Sequence, residues 1–156
     1  MTKKLKLRLQ TIVSFIEKED KVIDIGTDHL KVPIFLIENN LCLKADGSDI
    51  SKKAIEKLRN NLNENLKEKI ELFISDGFKN IDLSKYNTII ISGLGARKIL
   101  DILNQYPLIN QKLILQPTVG INLLKEEIIK LNYKMIDEKK IIEKNKKYIT
   151  FLFKKI

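Results

Sequence analysis

Apolar residues recur at helical spacing near the start of the chain. Leu5, Leu9, Ile12, Val13 and Ile16 share one face, and Lys3, Lys4, Lys6 and Arg8 lie on or beside the other, which predicts an amphipathic helix over Leu5–Ile16. The apolar run Lys21–Ile25 stops at Gly26 and reads as a buried strand ending in a tight turn. A helix follows over Pro33–Glu38, with proline near its start, where a missing N–H costs little. Leu41–Asp49 reads as a second strand, weakened at its far end by Gly47. Ser51 is a good N-cap for a helix with Ile55, Leu58 and Leu62 on one face. Further strands fit Ile70–Ile74, Thr88–Ile91 and Leu113–Leu115. Helices fit Ile99–Leu103 and the stripe Ile121, Leu124, Ile128, Leu131. Two β-rich stretches, Met135–Ile142 and Tyr148–Phe153, flank the polar turn Glu143–Lys147 and predict a terminal antiparallel hairpin.

Strand and helix alternate from residue 22 to 131, which implies a parallel sheet with helices on both faces. The expected fold is α/β: a three-layer, Rossmann-like sheet, mostly parallel, closed by the antiparallel hairpin. A single domain over residues 1–156 is expected, opened by the amphipathic helix, because no linker, repeat or low-complexity segment divides the chain.

Composition narrows the function. The 156 residues are 44% hydrophobic and 31% charged, as in a globular protein. No apolar run approaches the roughly 18–20 residues that span a bilayer, and no signal-peptide stretch follows the N-terminus, so the cytosol and no membrane partner are expected. One cysteine (Cys42) and one histidine (His29) leave no clustered metal site to expect. The formal charge of +9 makes nucleic acid the leading partner class. All but three of the 29 basic residues are lysine, however, a bias that an AT-rich coding sequence also produces.

Ligands of an open parallel sheet bind beyond the carboxyl ends of its strands. There the chain places Gly26, Thr27, Asp28 and His29, then Asp49, then Asp76 and Gly77, then Ser92, Gly93, Leu94 and Gly95, and finally Gln116, Pro117 and Thr118. A dinucleotide site wants three spaced glycines, yet Asp28 and Lys31 stand where two of them would be. An aspartate repels a pyrophosphate but suits a ligand carrying ammonium and sulfonium charges, which points to S-adenosylmethionine. Asp49, 23 positions after Gly26, is placed to accept both ribose hydroxyls, and Asp76 to accept from the adenine amine. Individually, each residue has a plain structural reading: Asp24, Asp28, Asp49 and Asp76 are all of the type that caps turns and helices. Their order at successive strand ends favours a methyltransferase.

The segment Asp24-Ile-Gly-Thr-Asp-His29 with Pro33, then Asp49-Ile-Ser, Ile74-Ser-Asp-Gly77, Ile91-Ser-Gly-Leu-Gly95 and Leu113-Ile-Leu-Gln-Pro117, resembles the bacterial TrmK family, which methylates N1 of adenine 22 in tRNA. Tyr148 falls where that family has a tyrosine in its last strand. Leu94, Ala96 and Thr118 replace the family's Met, Gly and Asn. The resemblance implies a class I fold, S-adenosylmethionine as methyl donor with S-adenosylhomocysteine as product, no metal, and tRNA as partner. It implies cofactor contacts from Asp24, Gly26, Asp28, Asp49, Ile50, Asp76, Gly77 and Ser92 to Gly95. Asp28 is the first candidate for the group that stabilises the charged adenine and accepts its proton, and His29 the second. Arg8, Lys31, Gln116, Pro117 and Thr118 are the expected substrate side, with Lys144, Lys146 and Lys147 as further phosphate contacts. Family members commonly continue into a helical coiled-coil extension, whereas this chain stops at Ile156, so either a substrate grip built differently, through the lysines, or a weaker or altered activity is expected. The alternatives are a catalytically lapsed nucleic-acid-binding domain of the same fold and a methyltransferase acting on another RNA.

Overall fold

The computed structural model describes residues 4–106 and 109–156, so Lys3 lies outside the described residues. Strands β1 (Lys21–Ile25), β2 (Lys44–Asp49), β3 (Leu72–Ile74), β4 (Thr88–Ser92), β5 (Lys112–Gln116), β6 (Tyr133–Glu143) and β7 (Lys146–Lys155) form one seven-stranded sheet in the order β3-β2-β1-β4-β5-β7-β6. The first five are mutually parallel and β7 runs antiparallel to both β5 and β6. The chain winds outward from β1 to β3, then returns to lay β4 on the other side of β1. The topological switch point, where such sheets open a crevice, therefore lies between β1 and β4.

Both faces are covered, as the alternation of elements requires. Ile89 and Ile91 of β4 pack with Ile99 and Leu103 of α5 (Ala96–Leu103) and with Leu124 and Ile128 of α6 (Ile121–Lys130). Ile90, between them, joins Val22 and Ile114 against Ile12 of α1 (Leu7–Val13) and Leu36 of α2 (Lys31–Glu38). A third cluster gathers Leu30, Ile55, Leu62 and Leu66 under α3 (Lys52–Asn61) and α4 (Glu64–Lys69).

Several boundaries differ from expectation, each for a local reason. The first helix closes at Val13, after which Phe15 and Ile16 continue in tight turns that still pack against the core. The second begins at Lys31, so Pro33 sits inside the first turn, where its missing N–H has no intrahelical acceptor to serve. Helix α4 carries only one buried residue, Leu66, and so has no apolar period to read; it is held by the Asn63 side chain, which accepts from the Leu66 N–H. The hairpin turn shrinks to Lys144-Asn145, both in the left-handed region that a two-residue turn between twisted strands demands.

Strand β2 is polar yet buried. A Cβ on Gly47 would fall 2.5 Å from Leu30 Cδ1, so glycine here is the condition for packing the loop after β1 over β2. Asp46 is fully buried and accepts from the Tyr86 hydroxyl (2.6 Å), the Glu71 N–H (2.8 Å) and the Lys44 ammonium (3.0 Å). A carboxylate in such a place is tolerated only with its lone pairs occupied. Tyr86→Phe removes one donor without changing shape; it is expected to lower stability by about 1–3 kcal/mol in urea denaturation, and an unchanged midpoint would contradict this role for Asp46.

Candidate active site

The carboxyl ends of the parallel strands open into one cleft of about 570 Å³, within the range of small-molecule sites. Its lining draws on every strand end singled out from the sequence. Gly26 and Asp28 follow β1, Asp49 ends β2, Asp76 follows β3, Gly93 follows β4 and Thr118 follows β5.

The floor is shaped by two glycines that flank the switch point. Gly26 (φ +69°) and Gly93 (φ +77°) both turn in the left-handed region, and a Cβ on either would meet nothing within 4 Å. Backbone is thus exposed to the cleft on both sides of the crevice. The loop after β1 winds tightly, with Asp28 (φ 56°) and Leu30 (φ 58°) also left-handed. Such backbone costs about 1–2 kcal/mol per residue outside glycine. Leu30 offsets it by complete burial against Ile55, Leu62 and Leu66. The N–H of Asp28 donates to Asp49 Oδ2 (3.3 Å), while the Ser51 N–H donates to Asp49 Oδ1 (3.0 Å). Asp49 therefore bridges the loop after β1 to the start of α3. Beneath the loop, Asp24 is buried and accepts from the Thr27 hydroxyl (2.9 Å).

On the far side of Asp49, the Ser75 hydroxyl donates to the Gly77 carbonyl (2.8 Å) and accepts from the Asn80 N–H, which fixes the turn that presents Asp76. Asp76 pairs with Lys79 (2.8 Å), whose hydrogen bond and charge hold its carboxyl below the usual range. Asp28 and His29 are neighbours on the exposed rim, with His29 Nε2 3.4 Å from Asp28 Oδ2. Ile50, Ser92, Leu94, Lys31 and Pro117 all line the same cleft. The loops after β4 and β5 are knitted together by the Thr118 N–H donating to the Leu94 carbonyl (2.9 Å).

One expectation is corrected. Gly95 does not line the cleft: it is the N-cap of α5, and a Cβ there would lie 3.1 Å from Val119 Cγ2. Gln116 lines the cleft, and its amide N–H groups donate to the Arg8 carbonyl (2.8 Å) and Thr150 Oγ1 (2.7 Å), which fastens α1 and β7 to β5.

A protein-family model described as a methyltransferase domain matches residues 5–151. The chain belongs to that methyltransferase family. The tRNA (adenine(22)-N(1))-methyltransferase of Bacillus subtilis is 29% identical over 155 residues, covering 93% of this chain and 63% of the relative. A Mycoplasma genitalium protein named "Putative tRNA methyltransferase MG248" is 36% identical over 121 residues, covering 72% of this chain and 53% of the relative. The chain thus spans less than two thirds of the length of both relatives. The structure of M. capricolum TrmK in complex with S-adenosyl-homocysteine superposes with a TM-score of 0.85 at 28% identity, covering 97% of this chain and 69% of that one. The TrmK resemblance read from the sequence and the Rossmann-like methyltransferase sheet are both borne out.

The cleft also holds residues that the sequence left unassigned. Lys98 and Ile102 line it from one face of α5, four positions apart. The i, i+4 signal existed, but the helix expected from Ile99 began too late to include Lys98. Thr27 and Ser75 were inside the quoted motifs; what distinguishes them is their hydrogen bonding to Asp24 and Gly77, which spacing does not reveal.

Burial pushes the Asp24 carboxyl up to about 7; the Thr27 hydrogen bond partly counters this and the nearby Asp49 charge adds to it. Unfolded, Asp24 loses its proton near its ordinary value of 3.8, so between there and about 7 the folded state binds more protons. Stability due to this group falls as pH rises through that window and is level above it. The melting-temperature difference between wild type and Asp24→Asn should therefore shift against wild type as pH rises from about 4 to about 7. A difference independent of pH would contradict it.

Proposed function

We propose that this cleft binds S-adenosylmethionine and that the protein methylates N1 of an adenine in tRNA, at position 22 by similarity to the Bacillus subtilis relative. The carrying observation is Asp49, a carboxylate fixed by two backbone N–H groups at the mouth of a glycine-floored cleft. Those bonds orient its remaining lone pairs toward a vicinal diol, the feature a ribose offers. Asp76 and the Gly77 N–H suit the polar edge of an adenine, and Ile50, Leu94 and Ile102 suit its faces. Asp28, exposed at the rim, gives that part of the cleft the negative character that a cationic ligand needs. The M. capricolum relative, which carries S-adenosyl-homocysteine, supports the same reading.

The cofactor supplies a methyl group on positively charged sulfur. Adenine N1 already offers a lone pair, so no base acts before attack and positioning carries much of the rate. As the new bond forms, positive charge spreads over the adenine ring. Asp28, exposed on the rim, stabilises that charge and is the group placed to take up the excess proton, with His29 beside it as a second acceptor. N1 is inaccessible in a paired base, so the nucleotide must be extruded at a cost of a few kcal/mol. The +9 charge favours the phosphates that accompany it. A tRNA substrate also places the reaction in the cytosol.

Titration calorimetry with S-adenosyl-homocysteine should show saturable binding, and Asp49→Ala should weaken it at least tenfold, since a hydrogen bond to a charged group contributes about 1.5–3 kcal/mol. With S-adenosylmethionine and unmodified tRNA, nucleoside mass spectrometry should detect 1-methyladenosine. No heat from the folded wild type sinks the cofactor reading, whereas binding without methylated adenosine sinks the tRNA reading.

A further inference from the structure

Helix α1, the tip of the β6–β7 hairpin and the mouth of the cleft meet at one corner. The residue before α1, Lys6, gives the helix no side-chain cap. Glu143, the last residue of β6, takes that place from across the fold: its Oε2 accepts from the Leu7 N–H (2.7 Å) and its Oε1 from the Arg8 guanidinium (3.1 Å). Arg8 is thereby held with its guanidinium carbon 5.6 Å from the centre of the Tyr148 ring. The Lys146 ammonium lies 5.4 Å from the same centre. Arg8, Lys146 and Tyr148 all line the cleft, together with Asp28 and Thr118.

Tyr148 differs from the structural tyrosines. Tyr86 and Tyr133 are buried, and their hydroxyls donate to Asp46 (2.6 Å) and to the Gln111 carbonyl (2.7 Å). Tyr148 is half-buried, and among the described residues its hydroxyl makes no such bond. Packing the fold does not explain an aromatic ring kept at the cleft mouth with two cations over it. A flat, neutral aromatic ligand attached to phosphate does: the ring offers a stacking surface and the cations meet the anion beside it.

We propose that Tyr148 is the wall on which the extruded base of the substrate nucleotide stacks, and that Glu143 is a positioning residue holding Arg8 against that ring. This rests on the reading of the cleft as an RNA methyltransferase site and adds the surface that receives the base. Lys146 is exposed and, among the described residues, makes no ion pair, so it can leave the ring for a neighbouring phosphate as the base arrives. Arg8, tied to Glu143, stays.

The test compares Tyr148→Leu, which keeps apolar bulk, with Tyr148→Phe, which keeps the ring, and with Glu143→Gln. Affinity for S-adenosyl-homocysteine reports folding and an intact cofactor site. Steady-state methylation of a tRNA transcript reports substrate use, and the fluorescence of 2-aminopurine replacing the target adenine reports stacking. Tyr148→Leu should keep cofactor affinity within about twofold and lose ~5–150-fold in kcat/KM, the range expected for one base on one aromatic ring, along with the fluorescence quench seen with wild type. Tyr148→Phe should restore most of both, and Glu143→Gln should raise KM for tRNA severalfold with kcat unchanged. Tyr148→Leu methylating like wild type, Tyr148→Phe failing as badly as Tyr148→Leu, or cofactor affinity collapsing with the ring would each overturn the assignment. A wild type that binds cofactor yet methylates no tRNA overturns the underlying reading instead; the quench still reports on Tyr148 by itself.

Discussion

Asp49 stands at the end of β2 with one carboxylate oxygen on the Asp28 N–H and the other on the Ser51 N–H. That bridge ties the left-handed loop after β1 to the start of α3, beside the apolar packing of Leu30 on Ile55. The loop is left-handed at Asp28 and Leu30, and the Asp49 contact satisfies the Asp28 N–H. Asp28 and Asp49, which the contact joins, line the cleft together with Gly26. A single carboxylate thus ties a left-handed loop to the start of α3 at the lining of the cleft.

The two edges of the sheet divide their tasks. At the amino ends of the strands, Lys112 reaches Asp20 at 2.5 Å and the Phe15 carbonyl at 3.2 Å, and Asp20 also accepts from the Glu17 N–H (2.8 Å), which closes that edge with a buried, satisfied ion pair. At the carboxyl ends, glycines and short polar side chains leave the backbone open. Polar groups therefore appear at both edges, but only one set is left to meet a ligand. The hairpin extends the open edge: β7 pairs with β5, and its tip returns beside α1 to put Tyr148 and Lys146 over the cleft.

Much of this was legible in the chain because it is local. β1 has the bounds that its apolar run predicts, Ser51 caps α3, and the strand-end row of Gly26, Asp49, Asp76 and Gly93 converges as parallel topology requires. What escaped notice depends on partners far away in sequence. Asp46 reads only as a polar residue within a strand until Tyr86 is beside it, and Glu143 as a turn residue until α1 arrives. Periodicity reports which residues share a face of one element. It carries no information about which side chain of another element will fill a given hydrogen bond. Gly95 failed for a related reason: a glycine before a helix serves equally as a ligand cradle or as an N-cap, and only the position of Val119 separates the two.

The central claim is that the loops beyond β1, β2, β3 and β4 form one binding surface for a single nucleoside ligand. Amide chemical-shift mapping during titration with S-adenosyl-homocysteine tests it most directly. The account predicts one saturable process, with the largest changes at Gly26, Asp28, Asp49, Gly77 and Gly93 and none at Asp20 or Lys112. Changes centred on the opposite edge, or scattered without saturation, would contradict it.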